Sequence, residues 1–416
     1  MDDPSLTFLD DPDAADARPD DVAEDGESAF VIDEDDRYSR LRLIPWWRQD
    51  RLKAASVLVV GAGALGNEVL KNLALVGVGT IYVIDRDSVE TSNLSRSVLF
   101  RAGDGGRPKA EVAAGRAKEI NPEVDYRWMH GDVINDLGLG LFADVDVVIG
   151  CLDNREARLW VNRQCWKVGT PWVDSGIQEI QGVVKVFVPP DSACYECAMT
   201  ARDYQLLNVR YSCPLLSRDQ ILEGKVPTAP TIASMMGALE VQEALKIIHG
   251  MPVAAGSALV FNGVTNQFYR TQLPHRPDCL SHETYPEPAR AAIGHAHPAA
   301  DLFAVAARSL EGPLVLALER DVVTSVACPT CGWSIEVYRP RTLVRTSEAT
   351  CPNCRALGRP EIVSTVEEGS RLAGFPLSKL GVPAGDIVRV DGSAESGFFR
   401  LGDDDLSGAS GWTAAV

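Results

Sequence analysis

No apolar run in the sequence approaches the roughly 20 consecutive residues a helix needs to cross a bilayer, which argues against a membrane-spanning protein. Basic charge is also scarce. The 58 acidic side chains outnumber 40 Lys and Arg, giving a formal charge of −18, whereas a nucleic-acid binder needs a basic surface to meet the phosphates. The beginning of the chain, Met1-Asp2-Asp3, lacks the basic and apolar regions of a secretory signal. No internal repeat is visible. These absences lead us to expect a cytoplasmic globular protein that engages neither membranes nor nucleic acid.

What is present is ample for folding. Hydrophobic residues make up 45% of 416, more than one typical core, so two or three domains are expected. Much of the acidic excess falls within residues 1–36 and at Asp403-Asp404-Asp405. An acidic stretch poor in apolar side chains cannot offset the entropy of ordering, and residues 1–36 are expected to be a disordered tail.

The most informative segment is Val57-Leu58-Val59-Val60-Gly61-Ala62-Gly63-Ala64-Leu65-Gly66, followed by Thr80-Ile81-Tyr82-Val83-Ile84-Asp85. An apolar run ends in a GxGxxG turn, a helical pattern follows, and a second apolar run ends in an acid. This is the first strand-helix-strand of a nucleotide-binding α/β domain. Gly61, Gly63 and Gly66 permit a tight turn and close backbone approach to a phosphate. The helix that begins there offers free N–H groups and the positive end of its dipole. Asp85 is spaced to accept from a ribose hydroxyl. On the glycines alone, the first reading is a dinucleotide oxidoreductase.

Helical periodicity covers 65–76, 109–120 and 232–249, and apolar runs at 144–149, 170–174 and 182–188 read as strands. The 144–149 run carries Cys151-Leu152-Asp153 just beyond its carboxyl end, the end at which ligands bind in open parallel sheets. Residues 193–226 are polar and cysteine-bearing, a long crossover loop of the kind that is often functional.

Further motifs displace the dinucleotide reading. Ser92-Asn93-Leu94-Ser95-Arg96, Pro108-Lys109, Asp153-Asn154 and Arg158 follow in order. Together with the glycines and Asp85, they resemble the ThiF/MoeB/ubiquitin-activating superfamily over about residues 37–282. That resemblance implies an α/β fold, a Rossmann-like adenylation domain with a mostly parallel sheet over 37–285; beyond it, a Pro-, Ala- and His-rich stretch reads as a linker at 286–300, and 301–416 reads as a small separate C-terminal zinc-ribbon, β-rich domain. The resemblance implies ATP and magnesium as cofactors and a ubiquitin-like protein as partner. Its roles map onto Gly61, Gly63 and Gly66 for the nucleotide turn and Asp85 for ribose. Asn93, Arg96 and Lys109 would hold the phosphates; Asp153 would hold magnesium with Asn154 beside it. Asp87 is either a turn cap or a site acid. Arg40, in Arg37-Tyr38-Ser39-Arg40, matches an arginine that enters the neighbouring subunit's site, which implies a homodimer. Leu41 and Ser97 stand where the superfamily usually has glutamine.

Of ten cysteines, six form the pairs Cys194/Cys197, Cys328/Cys331 and Cys351/Cys354. In a cytosolic chain such pairs read as zinc ligands before disulfides. Cys328, Cys331, Cys351 and Cys354 have zinc-ribbon spacing. Cys194 and Cys197 pair with Cys279-Leu280-Ser281-His282, where superfamily members place a second cysteine pair, so Cys279 and His282 complete a second set. Two zinc ions per chain are therefore expected. Cys151 and Cys165 lie in apolar contexts and read as core.

Cys213, in Arg210-Tyr211-Ser212-Cys213-Pro214, belongs to no pair. In ubiquitin-activating relatives a cysteine of this loop carries the partner as a thioester before a conjugating enzyme receives it. The implied function is activation of a ubiquitin-like protein followed by that transfer. Gly374-Phe375-Pro376-Leu377-Ser378-Lys379-Leu380-Gly381-Val382-Pro383 has a β-grasp-like look that fits it. The alternatives are a sulfur-carrier adenylyltransferase without conjugation, and a non-catalytic scaffold or regulatory subunit.

Overall fold

The computed structural model describes residues 35–205, 227–402 and 411–416. It divides into two compact units, Met1–Trp47 and Arg48–Val416. Within the first, the described residues form a short turn of helix at Leu41–Leu43. Asp36 holds that turn by accepting from Tyr38 N at 3.0 Å and Arg42 Nε at 2.8 Å.

The second unit begins with α1 (Gln49–Ala54) and β1 (Ser56–Val60), continues through α2 (Ala64–Val76) to β2 (Thr80–Asp85), and then α3 (Lys109–Ile120) leads to β3 (Asp125–His130). After α4 (Leu139–Asp144) come β4 (Val147–Gly150), α5 (Arg155–Val168), β5 (Trp172–Gln178) and β6 (Gln181–Phe187). Next are the long helix α6 (Pro230–His249) and strands β7 (Ser257–Asn262) and β8 (Gln267–Gln272). The β1 and β4 runs are almost wholly buried because helices cover both faces, which is why they read as continuous apolar stretches. Polar side chains interrupt α2 only on its outer face, apart from Asn67 and Glu68, which are buried. The helix stops at Gly77, whose left-handed φ of 72° lets its N–H reach back to Leu73 and Ala74. Pro230 sits in the first turn of α6, where its missing N–H leaves no bond unmade.

Among the described residues the main sheet has the order β15-β3-β2-β1-β4-β5-β6-β7-β8, where β15 is the short strand Thr413–Ala414. From β3 to β5 the strands are parallel, and from β5 to β8 they are antiparallel. The α/β class is therefore present, with the parallel strands gathered in the β3-to-β5 half of the sheet. A second sheet is β-rich: β9 (Ala289–Ala291), β10 (Val315–Ala327), β11 (Ser334–Pro340), β12 (Arg359–Glu367), β13 (Ile387–Asp391) and β14 (Ser396–Leu401). Helix α7 (Ala299–Ala306) buries Leu302 and Phe303 against Leu316, Val390 and Phe399 of this sheet. Leu377 and Leu380, from the segment with the β-grasp-like look, enter the same core from a short helical turn.

Several buried contacts join the two sheets. Arg320 on β10 pairs with Asp386 and donates to the carbonyls of Ile134 and Leu137, while Asp386 accepts the Leu139 N–H that opens α4. Lys167 at the end of α5 pairs with Glu319. The last strand, β15 (Thr413–Ala414), adds antiparallel to the β3 edge, with Trp412 buried edge-on against Tyr82. Among the described residues no helix is long and apolar enough to cross a membrane.

Candidate nucleotide site and two candidate metal centres

The glycine turn follows β1 directly. Gly61 has φ +100°, a conformation that disfavours side chains, and a Cβ there would lie 2.4 Å from the Cys151 carbonyl oxygen. A Cβ on Gly66 would lie 2.0 Å from the Gly61 carbonyl oxygen. These two glycines are thus required by the protein's own packing. Gly63 differs: a Cβ there would meet nothing within 4 Å. It caps the N-terminus of α2 and faces an open cradle, which suits the anion that a helix N-terminus attracts.

Asp85 ends β2 opposite this turn. One carboxylate oxygen accepts from Ala62 N at 2.7 Å and the other from Asp87 N at 2.7 Å. Burial pushes its carboxyl above the usual aspartate range, although Lys109 and these two N–H groups pull the other way. Asp85 therefore shapes the turn as well as facing the site, and each oxygen keeps one lone pair for a further donor. Lys109 opens α3 and reaches back to Asp87 at 2.8 Å. Burial disfavours its charge, but Asp85, Asp87 and Asp153 more than offset this, so the ammonium is held above its ordinary range. The structure thus brings Asp85, Asp87, Lys109 and Asp153 into one electrostatic group at the carboxyl ends of β1, β2 and β4.

Asn93 is buried and ties its own turn, accepting from Glu90 N at 2.9 Å. Arg96 is half-buried and donates to the Ser92 carbonyl at 2.9 Å. Asp153 is exposed beyond β4, beside Asn154, whose side chain caps α5 by accepting from Ala157 N at 2.8 Å. Of the expected core cysteines, Cys165 is buried, and Cys151 is half-buried beneath the glycine turn. Burial, reinforced by Glu240 and Asp174, pushes the Cys151 thiol well up, which keeps it protonated and inert. Arg40 belongs to the first unit and is exposed. Cys213 lies outside the described residues.

Sequence reasoning passed over Asn67. From the first turns of α2 it donates to the Ala62 and Gly63 carbonyls at 2.8 and 2.9 Å and accepts from Leu99 N at 2.8 Å. It therefore staples the glycine turn to the segment that carries Arg96 and Ser97. The available signal was a polar residue on the apolar face of an amphipathic helix.

Both sulfur clusters assemble. Cys194 Sγ lies 3.7 Å from Cys197 Sγ and 3.6 Å from Cys279 Sγ, and Cys197 Sγ lies 3.4 Å from His282 Nε2. In the second group, Cys328–Cys354 and Cys331–Cys351 sulfurs are each 3.4 Å apart. Within each group all four ligand atoms lie within 4.8 Å of one another. A tetrahedron with Zn–S bonds of about 2.3 Å has S–S edges of about 3.8 Å, close to these separations, and a disulfide at about 2.05 Å does not fit them. His282 stacks between Trp166 and His275. Burial, then His275, lowers its pKa and keeps the imidazole neutral, the state that ligates. The donor chemistry of both groups fits zinc.

A family model described as "ThiF family" matches residues 36–281. Mouse (Mus musculus) "Adenylyltransferase and sulfurtransferase MOCS3" is 34% identical over 258 residues, covering 61% of this chain and 54% of that protein. "Ubiquitin-like modifier-activating enzyme 5" of Dictyostelium discoideum is 28% identical over 270 residues, covering 61% of this chain and 68% of that one. A crystal structure of E. coli MccB shares the fold, with a TM-score of 0.50 at 23% identity over 61% of this chain and 74% of that chain. The chain thus spans about half the length of the mouse protein. With more than half of its own length matched by the family model, this chain belongs to the ThiF family.

Proposed function

We propose that this ThiF-family chain uses ATP to activate the C-terminal carboxylate of a ubiquitin-like protein and then carries that protein as a thioester on Cys213. The observation that bears most weight is the meeting of the open Gly63 cradle, Asp85, Lys109 and Asp153 at the carboxyl ends of β1, β2 and β4. In this reading, the turn of Gly61, Gly63 and Gly66 seats the phosphates at the α2 N-terminus, and Asp85 accepts from the ribose. Arg96 and Lys109 stabilise the charge that builds on the α-phosphate as the partner's carboxylate oxygen attacks it and pyrophosphate leaves. Asn93 holds the Arg96 turn in shape. Magnesium, when bound through Asp153 with Asn154 adjacent, would screen phosphate charge. Arg40 of one protomer completes the site of its partner in a homodimer.

In the second step the Cys213 thiolate attacks the carbonyl of the acyl-adenylate and AMP leaves, forming the thioester that a conjugating enzyme accepts. The two zinc sites hold the chain around the 193–205 segment and the second sheet. The name of the Dictyostelium relative is in keeping with this reading. A second reading draws on the name of the mouse relative, an adenylyltransferase and sulfurtransferase: the same adenylation, of a sulfur carrier, without conjugation.

One experiment divides them. The full chain is incubated with ATP, magnesium and a ubiquitin-like protein from a neighbouring gene, then run on a non-reducing gel. A thiol-sensitive adduct that disappears in Cys213→Ala, with ATP–pyrophosphate exchange retained, supports the conjugation route. Exchange without any adduct in the unmutated chain favours the sulfur-carrier reading. Absence of exchange with a cognate partner leaves a scaffold role.

A further inference from the structure

Arg158, one turn into α5, is half-buried and makes an unusual set of bonds. Its Nε donates to Asp174 Oδ1 at 2.8 Å, and its Nη2 donates to the Ser175 carbonyl at 2.8 Å and to the Leu152 carbonyl. Asp174 and Ser175 lie on β5; Leu152 immediately precedes Asp153 in the turn between β4 and α5. The side chain is 14% exposed and that of Asp174 is 0% exposed, so this contact is shielded from water. Lys185 on β6 approaches the other Asp174 oxygen at 3.5 Å.

The turn carrying Asp153 is held at few points. Cys151 N donates to the Val60 carbonyl at 2.8 Å, and Asn154 caps α5. The Asp153 carboxylate is itself exposed and, among the described residues, receives a hydrogen bond only from Asn154 Nδ2, at 3.3 Å. Between these two anchors the backbone is fixed at Leu152, by Arg158. A planar guanidinium can bridge acceptors on two different elements in one fixed geometry, which an ammonium cannot reproduce.

We propose that Arg158, anchored by Asp174, is a positioning residue that fixes the Leu152-Asp153 turn so that the Asp153 carboxylate is set to receive magnesium with ATP. This rests on the adenylation reading of Asp153. Residues that orient a metal ligand from behind commonly change metal affinity by about 10–100-fold when altered. The position of the ligand, rather than the stability of the fold, is what Arg158 controls.

The test is calorimetric titration of the full chain with ATP across a magnesium series, which needs no protein partner. Arg158→Lys keeps the charge and loses the bridging fork. It is expected to need about tenfold more magnesium for half-maximal ATP binding, with affinity recovering at high magnesium and zinc content unchanged. A merely structural residue would lower the unfolding temperature without moving the magnesium midpoint. Should Arg158→Lys not fold, Asp174→Asn carries the test. It keeps an acceptor at Oδ1 but weakens the anchor, and its midpoint should rise by at least about threefold. If the unmutated chain binds ATP with magnesium, Asp153→Ala abolishes the magnesium effect, and a folded Arg158 or Asp174 variant keeps the original midpoint, the positioning role is wrong while the adenylation reading stands. If the unmutated chain shows no magnesium-dependent ATP binding, both fall.

Discussion

Exchanging Gly63 and Gly66 for alanine, one at a time, separates what the glycine turn does for the fold from what it does for a ligand. A methyl on Gly66 would stand 2.0 Å from the Gly61 carbonyl oxygen and 2.9 Å from its carbon. Both are backbone atoms and cannot rotate aside. Overpacking of this kind costs about 1–3 kcal/mol, and a backbone clash belongs at the upper end. The second unit has roughly 370 residues. At about 2.1 cal/mol/K per residue, its unfolding entropy is about 0.8 kcal/mol/K, so about 3 kcal/mol lowers Tm by about 4 °C. A methyl on Gly63 meets nothing within 4 Å. It costs only the weaker helix cap of alanine, about 0.5–1 kcal/mol, or about 1 °C. It would, however, occupy the space that phosphate oxygens approach, and about 1.4 kcal/mol of crowding there is a tenfold loss of ATP affinity. Scanning calorimetry and ATP titration read the two effects independently. Gly66→Ala melting with the unmutated chain would refute the packing argument, and Gly63→Ala binding ATP with unchanged affinity would remove the phosphate from this turn.

Lys109→Ala and Asp153→Ala should each raise the adenylation barrier by about 2–4 kcal/mol; full ATP–pyrophosphate exchange in both would sink the site. Elemental analysis should find two zinc ions per chain, one for each four-residue group, and Cys351→Ser should lose one of them and destabilise the second sheet, since structural zinc contributes folding energy directly. Stability should also depend on pH through Glu319. Burial raises its pKa, but Lys167, Tyr285 and Arg320 more than offset this and hold it below the ordinary value of 4.5. A carboxyl depressed in the folded state stabilises the protein above its unfolded pKa, and that contribution is lost as pH falls through the folded pKa. Glu319→Gln should therefore cost about 2 kcal/mol at neutral pH and make acid unfolding less steep; an acid limb identical to that of the unmutated chain would show that the Lys167–Glu319 pair contributes nothing.

The parts of the site that were legible in the sequence share one property: their signal is local. The GxGxxG turn and its acid sit on one β1-α2-β2 unit, and the helix predicted at 109–120 is α3, Lys109–Ile120. Cysteine pairs announce themselves by spacing, and even Cys279 and His282, far along the chain from Cys194, could be matched because they stand where the resembled superfamily places a second cysteine pair. What could not be read is set by neighbours the sequence does not name. Asp85 was legible as the acid that ends the second strand, yet its bond from the backbone of Ala62 exists only once β2 has paired with β1. Arg158 was visible as a motif residue, but its task depends on β5 lying beside β4 so that Asp174 and Leu152 come within reach of one guanidinium. The edge strand β15 is two residues long and has no periodicity to detect; it forms because β3 presents unpaired backbone groups and Trp412 finds a place against Tyr82. Side chains whose role is to hold another residue in place carry no signature of their own, so the supports of a site are harder to read than the groups that face its ligand.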